Sequence, residues 1–466
     1  MKALIACSLL LLVGCQSSKT GVTPSVEEAG VSRSSSKRLV GDEVIEPAAA
    51  VDLDPDPNIV HVQLTAAPHT FEVDGQTISG YAYNGQVPGP TIYAKRGDQI
   101  VVEFTNELET PTTVHWHGMH VPIEMDGVAW QRDPIMPGGS FRYEFELNQT
   151  GTYWYHPHFD TERTLDLGLY GAIVIGDPVE PEVTQDVVLV LDSWYENESK
   201  DDVFEHSAID GKIRQWTVSG LSQPTLSVEG GSVVRARLIN VSNGGYLHLR
   251  WPDMEIIATD QGLSSALALP ESVVLGPSDR IEALWRVGEE GFTVEALPYT
   301  VLGGEAYGSP VALMNVDVTT PQPKPDMPAF AFSHTPPTPD PTHTNVLYVL
   351  QGNSVMGHWL INGEAFPDIT IQEVGLGDEA IIEVRNLSPA EHPFHLHGYG
   401  FEVLSVNGVP PPYRMVEDTL NLEIYETVRL RIVATNPGDW MTHCHILSHL
   451  GGGMMTVLRV QGETED

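Results

Sequence analysis

The chain has 466 residues, more than one hydrophobic core usually serves, and its 41% apolar and 19% charged content is ordinary for a globular protein of several domains. Its 24 basic and 63 acidic residues give a net charge of −39, which disfavours nucleic acid and anionic lipid surfaces as partners on electrostatic grounds. Of the three cysteines, Cys7 and Cys15 sit in an N-terminal leader, so the folded body carries one thiol, Cys444, and no disulfide framework.

The leader opens with Met1-Lys2 and an apolar run to Gly14, too short for a membrane span of about 20 residues and suited to an export signal. Its end, Leu12-Val13-Gly14-Cys15, resembles a bacterial lipobox, in which the chain is cut before a cysteine that then carries lipid. Residues 1–15 are therefore read as a lipoprotein-type signal peptide, with Cys15 as the lipid anchor and the only contact with a membrane. Ordinary cleavage nearby is the alternative. Gln16, where Asp would retain the chain, points to the outer membrane, with the protein facing the periplasm or the cell surface. Residues 16–55 are poor in apolar side chains and read as a flexible tether.

Short β-branched and aromatic runs bounded by Gly, Pro and Asn follow, and helical periodicity is scarce, so an all-β chain of sandwich strands is expected. Three of these runs share a register: Gly97, Gly231 and Gly377 each stand nine residues before Asn106, Asn240 and Asn386. Nine further residues reach His115 and His395 in the first and third copies but Leu249 in the second. Gly151 and Gly438 likewise precede His156 and His443 by five, whereas Gly291 is followed there by Ala296. The punctuation gives a first domain over 56–178, a ligand-free middle domain over 179–319 that serves as spacer or support, a Pro-rich linker over 320–343 and a third domain over 344–463.

The metal-ligand side chains come in pairs with one residue between them, His115/His117, His156/His158, His395/His397 and His443/His445, and on a strand each pair faces one side. Eight imidazoles suit three copper ions taking two, three and three nitrogens. Cys444 lies between His443 and His445 and faces the other way. With His392, His449 and Met454 it completes two imidazoles, a thiolate and a weak thioether, the ligand set of an electron-transfer blue copper centre.

HWHG at 115–118, HPH at 156–158, HPFHLHG at 392–398 and HCHILSHLGGGMM at 443–455 resemble, in order and spacing, the four copper motifs of the laccase-like multicopper oxidases, and the resemblance runs from residue 56 to 462. It implies three consecutive cupredoxin-like Greek-key sandwiches and four copper ions. His115 and His395 would hold the type 2 ion. His117, His156, His158, His397, His443 and His445 would hold the type 3 pair, and His392, Cys444, His449 and Met454 the type 1 ion. Asp126, in the Asp-Gly pair nine residues after His117, matches the family's carboxylate on the water route to the cluster and is the candidate for proton delivery; a turn aspartate is the alternative. Many bacterial relatives carry a second acidic relay group where this chain has Leu450; Asp160 or Glu162, just past His158, is the candidate to compensate, and a surface loop position is the alternative. No twin-arginine pair stands near the start, so export unfolded with copper loading afterwards is expected.

The resemblance implies that a reductant gives single electrons to the copper at Cys444, that the Cys444 backbone passes them to His443 and His445, and that dioxygen is reduced to water at the cluster. The thioether of Met454 implies a low-to-moderate potential. Phenols and aromatic amines are the expected reductants, since the 12 methionines are dispersed and form no Met-rich insert. Oxidation of Cu(I), Fe(II) or Mn(II) in the envelope is the alternative, and a copper store or scaffold the third reading. A monomer is expected.

Overall fold

The structure is a computed structural model and describes residues 45–176, 182–195, 213–268, 270–303, 306, 308–326, 335–353 and 358–462. The expected export signal with Cys15, most of the tether, the Asp177-Pro178 boundary and residues 327–334 of the linker lie outside the described residues.

Thirty strands, two short α-helices and one 3-10 turn make up the regular structure among the described residues. The reason lies in period-2 patterning. In Thr427–Val433, for example, Val428, Leu430 and Ile432 are buried while Arg429 and Arg431 are not. The strands form six sheets in three facing pairs. Ile59–Val73, Gln76–Tyr83, Gln99–Asn106 and Ser140–Glu146 make one sheet of the first pair, and Gly89–Lys95, Gly171–Gly176, Gly151–His156 and His115–His117 the other. The second pair has six and five strands between Gln185 and Val318, and the third six and five between Val346 and Gln461. One apolar core fills each pair, around Val62, Phe104 and Ile173, around Leu189, Leu238 and Trp285, and around Ile382, Phe394 and Leu430.

The shared register has a physical cause. Asn106, Asn240 and Asn386 are fully buried at the ends of equivalent strands. Each donates its amide to backbone carbonyls of the next loop, such as Thr110, Gly245 and Ala390, and accepts from the N–H two residues on, at Leu108, Ser242 and Ser388. A buried amide satisfied on both sides fixes the loop that leads toward the His pairs in two copies.

Residues 45–55, assigned to the tether, are instead docked on the body. Ile45 is buried in the middle core, the Glu46 carboxylate accepts from Val188 N–H, and Ala50 donates to the Thr91 carbonyl. One buried Ile stabilises by about 1.5–3 kcal/mol, enough to pin a short segment whose average composition is polar. Residues 320–326 and 335–343 of the linker carry neither helix nor strand; Lys324 ties the first stretch to Asp253 of the middle domain, and Asp340 ties the second to the third domain through Arg429.

Candidate metal centre

Two antiparallel strand pairs aim the histidines. His115 faces His156 across one ladder, and His395 faces His443 across another, beside Phe394 opposite Cys444. The pleat therefore sends Phe394 and Cys444 into the core of the third sandwich while His395 and His443 leave by the other face. There they meet the first sandwich: His115 stacks on His397 with centroids 4.0 Å apart, and His117 on His395 at 3.9 Å. All eight paired imidazoles are buried in one cluster between the first and third sandwiches. Donor atoms of His158, His397 and His443 lie within 4.8 Å of one another, as do those of His115, His395 and His397.

The donor atoms suit a metal. His115, His156, His395 and His443 donate Nδ1–H to the carbonyls of Asp126, Pro157, Asp418 and Cys444 at 2.8–2.9 Å, and His397 donates to Asp126 Oδ2 at 2.9 Å. That turns Nε2 inward as a lone pair. Nε2 of His115, His156, His158, His395 and His445 is buried with no hydrogen-bond partner, a costly state unless an ion takes the lone pairs. Burial, and secondarily the neighbouring imidazoles, push the pKa values of His156, His158, His395, His397 and His445 well below the usual range. Burial holds His443 at about 4. The rings are neutral, as ligands must be.

The second group is separate. Cys444 Sγ lies 3.5 Å from Nδ1 of both His392 and His449, and those nitrogens are 3.2 Å apart. A point equidistant from three such atoms is about 2 Å from each, the length of a metal–nitrogen bond. The Ser388 hydroxyl holds His392 Nε2 at 2.6 Å. Met454, fully buried, is tied through its backbone to Cys444 and His449. Burial pushes the Cys444 thiol well above its usual range, so the thiolate forms only when a cation is taken up.

Asp126 lies where the motif places it, fully buried, with Oδ2 accepting from His397 and Oδ1 3.2 Å from His115 Nδ1. Gly127 behind it is required, because a Cβ there would stand 2.0 Å from the Val114 carbonyl oxygen. Asp160 is exposed and pairs with Arg163. Glu162, on α1 (Thr161–Asp166), lies against Gly451 of α2 (Leu447–Gly451); burial and then Asp160 raise its carboxyl to about 7. The carboxylates found beside cluster imidazoles are Asp126 and Asp418, the latter 3.2 Å from His117 Nε2.

Sequence reasoning missed Asp418, whose only local sign is an Asp-Thr pair, and which lies in the bend between the strands Val416–Glu417 and Thr419–Leu422. It also missed Trp359, which stacks on His449 at 3.6 Å and 25° and is 5% exposed, while His449 itself is fully buried. His120 and His248 are hydrogen-bonded to Gly400 and Ser272 and serve the fold.

Two multicopper oxidase family profiles match residues 65–180 and 337–463. Multicopper oxidase mco of Staphylococcus haemolyticus is 31% identical over 81% of this chain and 83% of its own. The crystal structure of a Pseudomonas thermotolerans multi-copper oxidase superposes with a TM-score of 0.76 at 31% identity, covering 86% of this chain and 99% of that one. A Campylobacter jejuni multicopper oxidase described as a metallo-oxidase gives 0.77 at 26%, covering 90% and 94%. Relatives named laccase and iron transport multicopper oxidase also match. With its cupredoxin sandwiches, its imidazole cluster and its Cys444 site, the chain belongs to the multicopper oxidase family, oxidoreductases that use dioxygen and a reduced substrate, and copper is the metal these residues serve.

Proposed function

We propose that the protein is a laccase-like oxidase that takes single electrons from phenols or aromatic amines at the Cys444 site and passes them to the histidine cluster. The observation that carries this is covalent continuity: Cys444 belongs to one donor group, and its two chain neighbours, His443 and His445, belong to the other. Copper at the two groups supplies one-electron oxidation at the first and four-electron reduction of dioxygen to water at the second.

The chain's own residues do the rest. The backbone of Cys444 links the groups within one residue on either side. His158, His397 and His443 converge as one set of three donors, and His117, His156 and His445, with centroids 5.0–5.8 Å apart, form the other type 3 set. His115 and His395 are left for the type 2 ion, which makes four ions with the site of His392, Cys444, His449 and Met454. Asp126, between His115 and His397, is the proposed group for handing protons to the cluster.

An aromatic surface supports the substrate class. Trp130, 39% exposed, packs at 5.0 Å on Phe366, and Phe366 shares an apolar cluster with Leu450, next to His449. Glu162 against α2 favours the second reading, a cationic metal reductant. Oxygen uptake with a phenol, an aromatic amine, Cu(I) and Fe(II) as sole reductants decides. Uptake chiefly on aromatics is expected, uptake chiefly on metal ions transfers the function to metal oxidation, and a blue protein without uptake refutes both.

Among the described residues no helix is long and apolar enough to cross a membrane. Export, lipid attachment at Cys15 and a monomeric state are proposals resting on the sequence; Cys15→Ser should release the chain from membranes.

A further inference from the structure

We infer that Arg280, on the middle sandwich that contributes none of the eight imidazoles, is a positioning residue of the histidine cluster: through Asp418 and Thr419 it decides which nitrogen His117 presents to the metal. The inference rests on the reading of those imidazoles as a copper cluster.

His117 is turned the other way from its neighbours. Where His115, His156, His395, His397 and His443 donate from Nδ1, His117 has its Nε2 3.1 Å from Thr419 Oγ1 and 3.2 Å from Asp418 Oδ1, and its buried Nδ1 has no hydrogen-bond partner. Both groups facing Nε2 are acceptors. Asp418 is a carboxylate, and the Thr419 hydroxyl spends its proton on Asp418 Oδ1 at 3.0 Å. Nε2 must therefore carry the hydrogen, and the lone pair is on Nδ1.

Asp418 is held in this position from the middle sandwich. Arg280, fully buried, forks onto it through Nη1 and Nη2. The same guanidinium donates Nε–H to the Thr152 carbonyl of the first sandwich and Nη2–H to the Asp260 carbonyl of its own. Asp260 Oδ2 in turn accepts from Thr419 N–H, so the middle sandwich grips both residues that face His117. Gln261 adds a bond to Asp418 and one to the Gly118 carbonyl. Gly118, directly after His117, is what lets the clamp close: at φ +79°, a Cβ would stand 2.4 Å from Asp418 Oδ2 and 2.7 Å from Arg280 Nη2. A planar five-donor fork can make this set of bonds and an ammonium cannot.

The test compares wild type with Asp418→Asn, Arg280→Met and Arg280→Lys. Asp418→Asn keeps shape and leaves Arg280 in place, so it guards against a variant that merely fails to fold. Ring-nitrogen NMR on copper-free protein reads the tautomer without metal, with His117→Gln to identify the signal. His117 should carry its proton on Nε2 in wild type and lose that preference in Asp418→Asn and Arg280→Met. Copper titration followed by paramagnetic resonance should then show the type 1 signal retained while the cluster binds copper about 10–100-fold more weakly, with Arg280→Lys between. An Nδ1-protonated His117 in wild type overturns the inference. So does unchanged cluster affinity beside a fall in the unfolding temperature of the copper-free variants, the result expected of a tie between domains and nothing more. A wild type that bound no copper at the cluster would refute the functional reading, while the tautomer measurement would still decide this one.

Discussion

Glu282→Gln would test whether the middle sandwich is held to the copper-bearing strands by buried charge. Glu282 is 1% exposed. Its Oε1 accepts from Arg237 Nη1 at 2.8 Å and from the Thr152 hydroxyl at 2.6 Å, and its Oε2 from Arg235. Thr152 lies on Gly151–His156, the strand that ends in a cluster histidine. Desolvation pushes the carboxyl up, but Arg235, Arg237 and Thr152 outweigh it and hold Glu282 at about 2, against an ordinary value of 4.5. That difference corresponds to about 3 kcal/mol of stability at neutral pH, and truncating one member of a buried ion pair costs about 3–5 kcal/mol. Because the folded value is depressed, the contribution is full above pH 4.5 and is lost toward pH 2, falling by about 1.4 kcal/mol per pH unit in between. Gln does not titrate, so the gap between wild type and variant isolates this group. Three sandwiches need not unfold together, so hydrogen exchange of the strands around Thr152 and Arg237 is the assay. A gap under about 1 kcal/mol at pH 7 would refute the argument, and so would a gap that stays constant down to pH 3.

Cys444→Ser should abolish blue colour and substrate oxidation and leave copper bound at the cluster, as spectra and metal analysis of purified protein will show; retained turnover would sink the electron path. Trp359→Ala should cost about 3–5 kcal/mol in denaturant unfolding and shift the visible band, because the ring packed on His449 is lost. Asp126→Ala removes the acceptor for His397 Nδ1–H and should lower cluster copper affinity about 10–100-fold with the type 1 colour kept; equal copper loading would refute its role.

What could be read from the chain and what could not divides by range. The side chains that gather in the two donor groups were legible because a His pair with one residue between, on a strand, is a local pattern with a definite geometry, and Asn106, Asn240 and Asn386 because each serves the loop immediately after it. Asp418, Arg280 and Glu282 left no such mark. Arg280 meets Asp418 from 138 positions away and Glu282 meets Thr152 from 130, and an isolated Arg, Asp or Glu is ordinarily a solvated residue. Residues 45–55 were misjudged for a different reason: composition averages over a segment, whereas docking was decided by Ile45 and Glu46. Trp359 was hidden because its role depends on the strand His358–Ile361 folding beside α2.

The separation of the two donor groups follows from the pleat. One step along a strand is about 3.3 Å and reverses the side chain, so Cys444 belongs to the core of one sandwich while His443 belongs to the interface of two. An interface, unlike a core, must be closed from outside, since His117 and Thr419 meet across 302 positions of chain and stacked neutral rings hold each other weakly. The middle sandwich closes it with charge. Arg280 reaches Thr152 of the first sandwich and Asp418 of the third, Gln261 reaches Gly118 and Asp418, and Glu282 reaches Thr152. A cluster built on a single sandwich would need no such ties. One shared between two sandwiches does, which gives the repeat without paired imidazoles a reason to place buried charges at that boundary.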